Sequence, residues 1–158
     1  TGNVLLALEK AFVEDTQVLV EEMVVGREFT VGVYRNANGI QVLPITEVIA
    51  DADQPFFDFI AKYQGKSTEV TPATIPDGMA ERLRQMAIRV YEVFHCQGVV
   101  RIDFIYQESE DRPYMLEVNT IPGQSAASII PQQVRAQGGE LMDFYSELLD
   151  AALKPAQV

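Results

Sequence analysis

Two stretches of alternating character, VVRIDFIY at 99–106 and YMLEVN at 114–119, flank the polar segment QESEDRP. Strand-forming runs this close in sequence pair as an antiparallel hairpin. With its loop centred on residue 110, Tyr106 faces Tyr114, Asp103 faces Glu117 and Arg101 faces Asn119. The two-residue period of a strand then puts Arg101, Asp103, Glu117 and Asn119 on one face, while Val100, Ile102, Phe104, Leu116 and Val118 point into a core. Carboxylates directly opposite one another repel, so positive charge belongs between them. Two readings are open at this point. A hard divalent ion can take oxygen from Asp103, Glu117 and the Asn119 amide, as Mg²⁺ does when it keeps water and substrate phosphates as its other ligands. Alternatively, the face is solvated, merely acidic, and neutralised by Arg101.

Composition narrows the chemistry. The 158 residues carry 12 Lys and Arg against 23 Asp and Glu, a formal charge of −11. Partners with a phosphate backbone or an anionic membrane surface require clustered positive charge, and the positive residues here are scattered, so neither nucleic acid nor membrane is expected. One Cys, one His, no leader and no apolar run of spanning length point to a soluble, cytoplasmic chain with no zinc site. Any metal is a hard cation held by oxygen.

The rest of the chain reads as an α+β protein, an antiparallel sheet flanked by helices. It opens at Thr1 on a helical pattern of Val4, Leu5, Leu8 and Phe12 and is expected to be cut from something longer. Residues 17–24 form a β-rich run, and EFTVGVY at 28–34 pairs with IQVLPI at 40–45 across the turn NANG. The pattern dissolves from Asp51 to Pro76, a length at which loops usually have work to do. A helix from Pro76 and Asp77 carries the stripe Leu83, Met86, Ala87, Val90, Tyr91 and Phe94 and ends near Gly98. His95 and Cys96 at its end read as structural. After the loop TIPGQSAAS at 120–128, a short helical segment leads to a last helix bearing Leu141, Phe144, Leu148 and Ala152.

Further polar residues can converge on one ligand. Lys62, in the aromatic-rich loop, is placed to reach a phosphate or simply to be solvated. Glu28 at a strand start can accept bonds from neighbouring sugar hydroxyls or be a surface charge. Glu21, Glu22, Met23 and Val24 offer backbone polar groups beside apolar side chains, which suits a purine edge as well as an ordinary edge strand. Gly123, Ser125 and Ser128 precede a helix, where N–H groups and a hydroxyl make an anion pocket, or Ser128 is only an N-cap.

Taken together, VEEMVVGREFTVGV (20–33), FFDFIAKY (56–63), GKSTEVTPA (65–73), GVVRIDF (98–104) and LEVNTIPG (116–123) resemble the C-terminal part of D-alanine-D-alanine ligases, members of the ATP-grasp family. The resemblance implies an ATP-grasp C-terminal catalytic lobe over residues 25–158 and the tail of the central lid over 1–24, the N-terminal substrate domain and most of the lid being absent. It implies an ATP-dependent ligase that activates one D-alanine as an acyl phosphate and joins it to a second for peptidoglycan synthesis. By the same resemblance Asp103, Glu117 and Asn119 hold two Mg²⁺ ions, replaceable by Mn²⁺, and Arg101 stabilises the acyl phosphate. Lys62 contacts the ATP phosphates, Glu28 the ribose, and Glu21, Glu22, Met23 and Val24 border the adenine. Gly123 and Ser128 meet the reacting oxygens and the second substrate's carboxylate, and Tyr63 after Lys62 favours the dipeptide-forming type. The isolated chain is expected to lack turnover, and the parent enzyme to be a homodimer. The alternatives are an ATP-grasp ligase of another carboxylate and amine, and a non-catalytic Mg-nucleotide-binding module.

Overall fold

A computed structural model describes residues 2–50 and 67–153. In chain order the elements are α1 (Gly2–Glu14), β1 (Arg27–Asn36), β2 (Gly39–Val42), β3 (Thr46–Ala50), β4 (Ser67–Val70), α2 (Asp77–Val93), β5 (Val99–Gln107), β6 (Arg112–Asn119), α3 (Ile129–Ala136) and α4 (Leu141–Leu153). The strands form one antiparallel sheet of order β4-β3-β1-β5-β6, with β2 also paired to β1. The expected α+β architecture is therefore present.

β1 is central, and both of its faces are covered. Phe29, Val31 and Val33 on one face join Val100, Ile102, Phe104 and Tyr106 of β5 against α2, which contributes Met79, Ala80, Leu83, Ala87, Val90 and Tyr91. Apolar positions at helical spacing turn one stripe of α2 to the sheet, but Phe94 lies just past the helix and is largely exposed, so it is not part of the stripe. On the opposite face Tyr34 and Leu43 pack with Ile130, Val134 and Phe144 from α3 and α4, while Ala152 at the end of the α4 pattern stays exposed. Arg101, Asp103, Thr30 and Gly32 share this second face by strand parity.

Several expectations need correction. The second limb of the first hairpin is not one strand over 40–45: β2 ends at Val42, and the chain pairs again with β1 as β3 from Thr46. Pro44 has no N–H for a ladder, which accounts for the break. β4, inside the stretch read as irregular, pairs with β3. The β-rich run 17–24 is not a strand; no described strand lies beside it to take its backbone hydrogen bonds, and Leu19, Val20 and Met23 are exposed. α1 forms as expected, but Val4, Leu5 and Phe12 on it are each more than half exposed.

The β5–β6 hairpin keeps the expected register at its functional end and departs from it near the turn. Arg101 pairs with Asn119 and Asp103 with Glu117, but Phe104 pairs with Met115 and Tyr106 with Pro113 rather than Tyr114. The shift between Asp103 and Phe104 leaves Leu116 as the extra residue of a β-bulge, half-exposed rather than in the core.

Candidate functional site

The antiparallel ladder brings four side chains together. Arg101 Nε and Nη2 lie 3.0 and 2.8 Å from Asp103 Oδ1 and Oδ2, and Nη2 is 3.6 Å from Glu117 Oε1. Arg101 thus provides the positive charge that the facing carboxylates require. Burial pulls the guanidinium's pKa down, but hydrogen bonding and charge from Asp103, with further charge from Glu117, outweigh it and raise the value. Arg101 stays cationic throughout the physiological range. Asp103 is buried, whereas the Glu117 side chain is 55% exposed and faces solvent. Asn119 Oδ1 accepts from the Ile121 N–H at 3.1 Å.

Neutralisation by Arg101 and cation binding do not exclude one another. An ionised carboxylate offers about four acceptor positions, and the Arg101 contacts leave others open on Asp103. Among the described residues there is no group of three or more His, Cys, Asp or Glu suited to a metal. The donor set is instead two carboxylates and an amide, all oxygen, which fits Mg²⁺ or Mn²⁺ that also holds water and phosphate.

The loop after β6 forms a second grouping. A Cβ added at Gly123 would stand 2.8 Å from Ser128 Oγ, so the absence of a side chain there lets the loop close on Ser128. Ser128 occupies the N-cap position of α3 with extended backbone, yet its side chain makes no cap hydrogen bond. Its hydroxyl accepts from the Ser125 N–H at 3.1 Å and lies 2.8 Å from Ser125 Oγ. The simple N-cap role is therefore not the one this hydroxyl plays.

Glu28 lies two residues before Thr30 on β1 and shares its face, one strand over from Asp103. Glu21, Glu22 and Met23 are exposed and Val24 is half-buried, in the irregular segment that leads into β1. Lys62 and Tyr63 fall outside the described residues. His95 is exposed with φ 50° just beyond α2, and Cys96 packs partly against the core, where burial pushes its thiol pKa up.

Residues not foreseen from sequence surround the site. Thr30 Oγ1 donates to Asp103 Oδ1 at 2.7 Å, with both residues buried. Gln133 of α3 is fully buried and bonds to β1 and β3. The available signal was a Gln at helical spacing within the apolar stripe of Ile130 and Val134.

The model of the family described as D-ala D-ala ligase C-terminus matches residues 3–150. The D-alanine–D-alanine ligase of Flavobacterium johnsoniae is 44% identical over 148 residues, 94% of this chain and 45% of that protein. Among solved structures, the D-alanine–D-alanine ligase of Bacillus anthracis superposes with a TM-score of 0.77 at 27% identity, over 97% of this chain and 48% of that one. The VanG D-Ala:D-Ser ligase of Enterococcus faecalis gives 0.79 at 28% identity, over 97% and 44% respectively. The chain spans about half the length of the curated relatives it matches.

Proposed function

Since the chain belongs to the family of D-Ala-D-Ala ligase C-termini, we propose that it is the catalytic C-terminal part of an ATP-dependent ligase that joins two D-alanines for peptidoglycan synthesis. The observation that carries this reading is the Asp103–Glu117 pair facing across one hairpin, with Arg101 against both and Asn119 at the next pairing position on that face. A passive cation-binding module gains nothing from a guanidinium beside its metal, whereas phosphoryl and acyl transfer both develop negative charge that such a group meets.

In the proposed reaction a D-alanine carboxylate oxygen bonds to the γ-phosphorus of ATP as ADP leaves. The amine of a second D-alanine then displaces phosphate from the acyl carbon and loses a proton. Asp103, Glu117 and Asn119 would hold the divalent ions, which when bound supply charge neutralisation for the phosphates. Arg101, held by Asp103, presents a fixed positive charge to the acyl phosphate and to the oxyanion formed during amine attack. Gly123 and Ser128, with the N–H groups opening α3, are assigned to the reacting oxygens and the second substrate's carboxylate. Glu28 is assigned to the ribose, residues 21–24 to the adenine and Lys62 to the phosphates. Residues 1–24 are assigned to a lid lobe and 25–158 to the C-terminal lobe, a division supported by a core whose first buried residue is Phe29.

The test is Mg²⁺-dependent ADP binding with Glu117→Gln, paired with D-alanine-dependent ADP release by a full-length ligase carrying the same change. Because Glu117 is 55% exposed, the variant is expected to keep its melting temperature while losing about tenfold or more in metal-dependent binding and most turnover. Unchanged metal dependence and turnover would remove the assigned site.

A further inference from the structure

Tyrosines apart, the four buried polar side chains among the described residues, Thr30, Thr46, Asp103 and Gln133, belong to one hydrogen-bonded chain. Gln133 Oε1 accepts from the Gly32 N–H at 3.1 Å, and its Nε2 donates to the Thr30 carbonyl and to Thr46 Oγ1, each at 3.0 Å. Thr46 Oγ1 is in turn 2.7 Å from Thr71 Oγ1. Gln133 therefore fills the gap in the β1 ladder between its pairing with β3, which runs to Thr30, and its pairing with β2, which starts at Val33. Both amide protons and the amide oxygen have partners, so the orientation of the side chain is determined.

The chain ends on the acidic site. A carboxylate can only accept, so the Thr30 hydroxyl must donate to Asp103 Oδ1, at 2.7 Å. Arg101 Nε also donates to Oδ1, at 3.0 Å, whereas Oδ2 receives the 2.8 Å bond from Arg101 Nη2. Oδ1 is thereby filled by two donors, while the contacts described leave Oδ2 room for another partner.

We infer that Thr30, anchored by Gln133, is a positioning residue that fixes the Asp103 carboxylate so that Oδ2 is the oxygen offered to a divalent cation. The inference rests on the reading of Asp103 as a metal ligand. It extends that reading to a residue one strand away and to a helix that also carries Ser128 at its N-cap, so one buried amide ties the metal face and the loop grouping to the same strand. Hydrogen-bond partners that orient a metal ligand typically change affinity by about 10- to 100-fold when removed.

The experiment follows Mn²⁺ binding to the 158-residue chain through loss of the free-ion electron paramagnetic resonance signal, alongside thermal melting. Thr30→Val keeps the shape and deletes the donor, and is expected to weaken Mn²⁺ binding by about tenfold or more. Thr30→Ser keeps the donor and is expected to bind within a few-fold of wild type even if it melts earlier. Should Val at this position prevent folding, Thr30→Ala is read in its place. Loss of melting temperature with Mn²⁺ affinity unchanged would make Thr30 a packing residue only and overturn the inference. An Asp103→Asn chain that binds Mn²⁺ as wild type does would instead sink the ligand reading, and the inference with it.

Discussion

Gly32 shows how closely α3 is pressed onto the sheet beside the acidic site. It pairs with Arg101 across β1 and β5, and a Cβ built on it would lie 2.5 Å from Gln133 Oε1, 2.7 Å from Ile130 Cδ1 and 2.8 Å from Leu43 Cδ1. Such contacts force side chains or backbone to move, at about 1–3 kcal/mol in a packed core. Gly32→Ala is therefore expected to lower the melting midpoint by about 2–4 °C per kcal/mol at this chain length; a variant that melts like wild type would show that α3 yields without cost. At this scale the sequence was legible where the rule is local. Arg101, Asp103, Glu117 and Asn119 share a face because strand parity needs only the neighbouring residues of one hairpin. Thr30 and Gln133 were not legible, since their roles depend on β1 lying beside β5 and on α3 crossing β1, and these facts join residues 73 and 103 positions apart.

Between elements, the β5–β6 turn is tied to α2 by charge. Arg82 on α2 donates to the Tyr106 hydroxyl at 2.9 Å and to Asp111 Oδ1 at 3.1 Å, and the Tyr106 hydroxyl donates to the same carboxylate. The hydrogen bond from Tyr106, followed by that from Arg82, holds the Asp111 carboxyl below its ordinary value of 3.8. A carboxylate whose folded pKa is depressed contributes stability that is present above the unfolded value and lost as pH falls through the folded one. The difference in stability between wild type and Asp111→Asn, measured by urea unfolding, is thus expected to shrink as pH falls from about 5 to about 2.5. A difference independent of pH would mean the carboxylate's charge plays no part. The effect is modest because Arg82 and Asp111 are solvent-exposed, although Tyr106 is buried. Asn is the suitable replacement because Asp111 has φ 51°, a conformation that Asn also tolerates. The long elements α2, β1 and β5 were readable from sustained periodicity, whereas β3 and β4, of five and four residues, offer too few repeats to stand out. The bulge at Leu116 was invisible for a related reason: alternation on each strand says nothing about an extra residue between them, so the expected pairing is right at Asp103 and wrong at Tyr106.

For the molecule as a whole, the burial pattern divides the chain near residue 25. No described residue before Phe29 is buried, while Val4, Leu5, Leu6, Phe12, Val13, Leu19, Val20, Met23 and Val25 are all more than half exposed. Apolar surface on that scale promotes association, and in a chain of net charge −11 only repulsion opposes it. Removing residues 1–25 is therefore expected to leave the melting midpoint within about 2–4 °C of the parent chain, the equivalent of about 1 kcal/mol, and to lower light scattering at high concentration. Collapse of the shortened chain would place the segment inside the C-terminal lobe and move the proposed boundary. The same truncation separates two parts of the proposed site. Asp103, Glu117 and Asn119 stand on β5 and β6, so Mn²⁺ binding should survive it, whereas the assigned adenine edge at Glu21, Glu22, Met23 and Val24 is deleted and ADP binding should fall. If both were lost together, the metal face would depend on a segment that makes no part of its hydrogen-bonded frame. If both were retained, the nucleotide base would have to be recognised by the lobe from Gly26 onward.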